Sequence, residues 1–347
     1  MAWLGTWAKR FKITVDNTNI DSDLTHFPVP IVLGTSVGQS SQDLSVIFDE
    51  LGSSSKKIAI TKDDGVTQLY GEIETWDSSA EKAVIHVAKS DLDIIAAAVT
   101  ELYLYFDTTQ DNNTTYIGDT GDTSATSVWD SDFVAVYNMA QDPSGGTGCI
   151  LDSTSNANHG TPQGSMTTGD LVDSIIGKGL NLDGAGDYIQ VPDSASLDLA
   201  TEVTIETIIY PTVVSNVGIL QKGPLADDQG VYQLSAATVG TGWYFRINGS
   251  VTESDGQVSG GSPVINTWTY VAGSYNSATQ FLQVNDTIVT TDPQTGAIST
   301  DNNPLNIGVY HSTSYTFPGI IGQVKISKNG RSAAWLKATN YALTDDL

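Results

Sequence analysis

Cysteine is almost absent. Cys149 stands alone in 347 residues, which excludes an intramolecular disulfide framework and any multi-cysteine zinc site. Histidine is sparse as well: His26, His86, His159 and His311 lie far apart and make no H-x-H or H-E-x-x-H pattern, so zinc chemistry finds no ligand set. Basic charge is scarce, with 15 Lys+Arg against 40 Asp+Glu and a formal net charge of -25. A field of that sign repels nucleic acid and anionic membranes, and neither is an expected partner. No apolar run approaches the ~20 residues of a membrane span, so no membrane insertion is expected. The start, M-A-W-L-G-T-W-A-K-R-F, lacks the apolar stretch of a signal peptide. No collagenous G-x-y tract and no sustained heptad supplies a stalk.

What is present is β-rich. With 33 Gly and many Thr, Ser, Asn and Val, the composition is that of a folded chain built on strands. From residue 11 to about 107, short runs alternate apolar and polar residues: F-K-I-T-V, F-P-V-P-I-V-L, L-S-V-I-F, K-I-A-I-T, Q-L-Y-G-E-I-E-T-W, A-V-I-H-V and E-L-Y-L-Y-F-D. Gly, Asn, Asp and Ser clusters separate them, as in a sandwich. D-L-D-I-I-A-A-A-V is the one stretch here with room for one or two helical turns. Beyond residue 200 a second series follows, including T-I-E-T-I-I-Y, G-I-L-Q-K, V-Y-Q-L-S, W-Y-F-R-I, W-T-Y-V-A-G-S-Y and I-I-G-Q-V-K-I, and R-S-A-A-W-L-K-A-T-N-Y-A-L closes the chain as one short helix. The length favours two domains. The reading is all-β: a sandwich over 1–140, a linker over 141–151 around Q-D-P-S-G-G-T-G, and a second sandwich over 152–347.

Two resemblances give those halves names. D-S-T-S-N-A-N-H-G-T followed by G-K-G-L-N-L-D-G-A-G-D-Y-I-Q-V, between Asp152 and Val191, resembles the opening of a LamG-like jelly roll of the concanavalin A-like lectin/glucanase superfamily. The resemblance implies a module that holds glycans or other surfaces more often than it does chemistry. W-A-K-R-F-K-I-T-V-D-N-T, F-P-V-P-I-V-L, E-L-Y-L-Y-F-D and V-W-D-S-D-F-V-A-V-Y-N-M resemble a domain of unknown function that commonly precedes LamG modules in bacterial and bacteriophage proteins.

Candidate chemistry is thin. Gly34-Thr35-Ser36-Val37-Gly38 fits a nucleophile elbow, but L-S-V-I-F after it reads as a strand where an elbow needs a helix. The E-x-D-x-x-E carboxylates of the glucanase branch are missing, and Glu202 and Glu206 stand four apart. His86 reads as a sheet-face residue. Oxygen-rich turns offer a possible structural calcium at Asp152, Asp183 and Asp187, although no cofactor is required; the I-D-E-V-R-I of many relatives is replaced by Ile321-Gly322-Gln323-Val324-Lys325-Ile326. For glycan stacking the candidates are Tyr310, His311 and Tyr315 on the loop before G-I-I-G, with Trp243 bordering a Gly-rich hairpin. Trp129 and Trp268 occupy positions that read as core. Trp3, Trp7 and Phe11 cluster near the N-terminus as an attachment element.

Together these features lead to an expectation of a bacteriophage virion protein, a tail-associated adhesin or capsid decoration, assembled in the host cytoplasm. Its expected partners are other virion proteins, further copies of itself and a cell-surface glycan. The alternative is a bacterial surface or exported carbohydrate-binding protein, extracellular in location; a glycoside hydrolase is third.

Overall fold

The computed structural model describes residues 2–213, 216–225, 230–236, 242–248 and 256–347, which fall into two compact units: Met1–Ser131 with Lys337–Leu347, and Asp132–Leu336. Strands dominate both, and one short helix, Ala333–Ala342, stands near the C-terminus. The architecture is all-β, as the alternating runs predict.

The first unit contains a three-stranded sheet, in the order Lys9–Val15, Thr100–Phe106, Ile58–Lys62, and a four-stranded one, in the order Val29–Leu33, Lys82–Ala88, Tyr70–Asp77, Ile117–Asp119. Pairing is antiparallel except for the last strand of the larger sheet, which runs parallel to its neighbour. Two expectations fail here. L-S-V-I-F is not a strand: Val46–Leu51 is helical, burying Ile47, Phe48 and Leu51 while Val46 stays exposed. Those spacings of one and four belong to a helix face, and the apparent alternation of Leu44, Val46 and Phe48 was too short to decide the period. D-L-D-I-I-A-A-A-V is not helical; Asp93–Ile94 pairs with Leu24–Thr25 as a two-residue strand. His86 is fully buried, with Nε2 2.8 Å from the Glu74 carboxylate.

The second unit is a jelly roll of two large sheets. One follows the order Leu171–Asp173, Lys178–Asp183, Pro318–Ser327, Val203–Pro211, Thr269–Tyr275, Thr279–Val284, Thr287–Pro293. The other runs Thr161–Gln163, Tyr188–Val191, Leu305–Ile307, Val217–Lys222, Tyr232–Ala236, Trp243–Ile247, Gln257–Gly260. Phe133–Tyr137, assigned from sequence to the first domain, pairs instead with the second half of Pro318–Ser327, beyond the part that Lys178–Asp183 occupies. All five of its residues are buried, so the strand is part of this unit's sheet.

The core between the sheets holds Val203, Ile205 and Ile209 from one layer and Leu220, Leu234, Trp243 and Phe245 from the other. Close packing here demands a glycine: a Cβ on Gly273 would lie 2.1 Å from Cγ of Phe245, so the ring occupies the space that a side chain would take. Trp243 is completely buried. Truncating it removes a large apolar surface and leaves a cavity, so Trp243→Ala is expected to cost the second unit about 3–5 kcal/mol, read as a lower denaturant midpoint at unchanged slope.

Candidate functional site

The hairpin formed by Val309–Tyr310 and Ser312–Thr316 gathers the aromatic residues singled out in the sequence. It is seated on the strand Val217–Lys222, and Gly218 permits that contact: a Cβ there would fall 2.2 Å from the Tyr310 nitrogen. The Tyr310 hydroxyl donates to Oδ1 of Asn216 at 2.6 Å, and the His311 amide donates to Oε1 of Gln221 at 2.9 Å. His311 takes φ 58°, a left-handed turn that costs a side chain some strain. The rings of Tyr310 and Tyr315 stand 5.2 Å apart, and those of His311 and Tyr315 5.4 Å. Tyr310 is buried as the floor, while His311 and Tyr315 are half-buried and offer part of their rings to solvent. Nδ1 of His311 is buried with no hydrogen-bond partner among the described residues. The result is a rigid aromatic shelf with polar atoms at its margin, suited to an apolar ring face edged by hydroxyls.

The other candidates go elsewhere. Trp243 belongs to the core and cannot stack on a ligand; its Gly-rich sequence neighbours say nothing of the far sheet that covers it. Trp268, read from sequence as core, is half-exposed and packs on Tyr210 with ring centroids 5.4 Å apart. Trp129 is buried, its Nε1 donating 2.5 Å to Glu72. In the first unit Trp3 and Trp7 meet the Tyr105 ring edge-on, Phe11 stacks on Phe106, and Trp3, nearly half exposed, lies under the Arg10 guanidinium at 4.4 Å. Ser36 sits exposed in a bend with no side-chain hydrogen bond among the described residues, and the next helix begins ten residues later. Glu206 is buried and accepts the Tyr270 hydroxyl at 2.7 Å, whereas Glu202 accepts the Gly330 amide at 2.9 Å. The two carboxylates hold separate pieces of backbone and side chain.

The calcium candidates spend their carboxylates on neighbouring backbone amides and hydroxyls. Asp152 is buried and spends its carboxylate on the amides of Val136, Thr154 and Asn158 and the Thr154 hydroxyl, all at 2.9 Å; burial still pushes its pKa up. Asp183 caps the amides of Ala185 and Asp187, and Asp187 in turn accepts from Ser165. Among the described residues no group of three or more His, Cys, Asp or Glu is placed to hold a metal ion.

A lysine takes a comparable structural role, and the sequence gave no sign of it. The side chain of Lys222 is fully buried. Its Nζ lies 3.0 Å from Asp193, 2.9 Å from Asp301 and 3.7 Å from Asp198, and it donates to the carbonyls of Asp301 and Asn303 at 2.9 and 2.7 Å. Burial raises the Asp301 pKa, but hydrogen bonds from Lys222 and Asn303 outweigh it, and the net shift is downward. The partners come from segments separated by ~100 positions, and only the fold brings them to one ammonium.

Residues 183–337 match the family described as the concanavalin A-like lectin/glucanases superfamily, and they form a concanavalin A-like jelly-roll domain. No curated protein matches the chain. Among solved structures, domain 4 of AbnA, a GH43 extracellular arabinanase from Geobacillus stearothermophilus, in complex with arabinotriose, is 17% identical, with 59% of this chain and 97% of that one covered at a TM-score of 0.45. The binding domain of Paraclostridial Mosquitocidal Protein 1 is 15% identical over 60% of this chain and 52% of its own, at 0.47. The ligand binding domain of botulinum neurotoxin serotype D, in complex with N-acetylneuraminic acid, is 11% identical over 60% and 50%, at 0.43. The match spans about half the length of either toxin domain.

Removing the Lys222 ammonium leaves three carboxylates facing one another. Lys222→Met is therefore expected to destabilise the second unit by about 3–5 kcal/mol, the scale for breaking a buried pair from one side. Because the folded pKa of Asp301 lies below the ordinary value of 3.8, its contribution is complete above that pH and lost as the pH falls through the folded value. Thermal unfolding from pH 7 down to pH 2 should show the wild type losing stability below about pH 4 and the Met variant losing less over the same range.

Proposed function

We propose that the second unit is a non-catalytic carbohydrate-recognition module, and that the chain is displayed on a bacteriophage particle. The observation that carries the recognition reading is the Tyr310–His311–Tyr315 shelf, held by hydrogen bonds from Tyr310 and His311 and by the ring contacts of Tyr315. A ring edge-stacked on Tyr315 has a polar neighbour in His311, and Glu206 and Glu202 are engaged by the Tyr270 hydroxyl and the Gly330 amide. One small shelf supports weak binding, and many copies on a particle raise it by ~10²–10⁴-fold without new contacts. The acidity of the chain, its module architecture and the aromatic N-terminal cluster support display through contacts with other virion proteins.

A glycan array probed with the oligomerised protein tests recognition: Tyr315→Ala should lower binding about tenfold or more, and Tyr310→Ala should do the same by removing the floor. Equal binding by both variants takes the hairpin out of consideration. Mass spectrometry of purified particles tests display, and absence of the chain from them ends that reading. Deleting residues 1–8 should block incorporation while leaving the second unit folded.

A further inference from the structure

The first unit contains a cavity of about 690 Å³ lined by one terminal strand of each of its two larger sheets. One wall is Phe11–Asp16, from the terminal strand of the three-stranded sheet; the facing wall is Val29–Val32, from the terminal strand of the four-stranded sheet. Among the described residues, Lys9–Val15 pairs only with Thr100–Phe106, and Val29–Leu33 only with Lys82–Ala88. Lys9–Val15 therefore turns an unpaired row of backbone N–H and C=O groups outward, whereas Pro30 removes a donor from the other edge. Between the two edges the lining is apolar at alternate positions on one side, Phe11, Ile13 and Val15, and at successive positions on the other, Val29 to Val32. Phe11 and Ile13 are only half-buried, whereas Val29 and Ile31 are buried.

We propose that this slot receives an extended segment of a partner protein, a strand with alternating apolar residues and basic flanks. The volume falls within the ~300–1,000 Å³ of ordinary ligand pockets, but the walls select among ligands. An acyl chain or other apolar small molecule would dehydrate the two backbone rows without pairing them, at a cost for every group left unmatched. A peptide in β conformation pairs with one row and places alternate side chains on the apolar lining. The six residues from Phe11 to Asp16 correspond to a strand of ~20 Å. Charge argues for a basic segment of another protein over a second copy of this one. Lys12 is paired with Glu101 at 2.9 Å, whereas Asp16 and Asp345, which accept from Thr18 and the Gly38 amide, add negative charge to the lining, and two copies would meet with like charge, -25 on each.

The test pans a random nonapeptide display library on the full chain. Enriched peptides should carry apolar residues at alternate positions with Lys or Arg at the ends. As synthetic peptides they should slow hydrogen exchange at residues 9–15 or 29–33, and binding should fall as salt rises. Val99 lines the slot and is half exposed, so Val99→Lys keeps the fold; it and Ile13→Lys should each weaken binding about tenfold or more, as should N-methylation of alternate peptide amides. No enrichment of alternating sequences overturns the proposal, as does protection elsewhere or insensitivity to N-methylation. Protection of the same strands by dodecanoate, with no peptide enriched, overturns it in favour of an acyl ligand. None of these outcomes bears on glycan binding by the second unit.

Discussion

The buried ammonium of Lys222 is the constraint on which the rest of the jelly roll turns. It draws together the turn at Asp193 and Asp198, the turn at Asp301 and Asn303, and the end of the strand Val217–Lys222. An ammonium in so little solvent would be prohibitively costly alone, and carboxylates on three sides with two carbonyls offset that cost. Fixing one end of the strand fixes the other. Gly218, Asn216 and Gln221 lie on or beside it, and each makes a contact that seats the aromatic hairpin. The shelf and the ion cluster are thus joined by one strand.

The three aspartates singled out for calcium serve their own turns. Asp152, Asp183 and Asp187 act as acceptors for backbone amides in their own loops, the usual work of an Asx turn. The acidic residues that do converge are Asp193, Asp198 and Asp301, and the cation between them is covalently part of the chain. A tethered ammonium, unlike calcium, cannot be chelated away, so chelators leave this source of stability intact while acid removes it.

The strands were legible in the sequence because alternation over five or more residues reports a sheet face directly. Thr100–Phe106 and Trp243–Ile247 emerged as strands in this way, and the closing helix was equally plain. Where the reading failed, the deciding information was distant. Whether Trp243 faces solvent depends on the sheet packed opposite it, and the fate of Trp268 depends on Tyr210 beside it. Phe133–Tyr137 was read only through its resemblance to the first domain, and its strand partner lies nearly two hundred residues away. The Tyr310–His311–Tyr315 grouping was readable because one tight hairpin contains it.

Sheets in both units end in terminal strands, and what lies beside those strands bears on what each is proposed to bind. In the second unit the long strand Pro318–Ser327 is paired along both flanks, with Phe133–Tyr137 and Lys178–Asp183 sharing one of them. Backbone pairing is thereby complete at the centre of the sheet, and the recognition proposed for this unit uses side chains of the Tyr310–Tyr315 hairpin. In the first unit the terminal strands Lys9–Val15 and Val29–Leu33 line an apolar cavity. An exposed edge is a liability in a free protein, since it invites pairing with any extended chain. Pro30 blunts one of these edges, and the other keeps its backbone row beside the slot, where the proposed occupant would pair. The side-chain recognition proposed for the second unit and the backbone recognition proposed for the first therefore draw on different groups of the same kind of sheet.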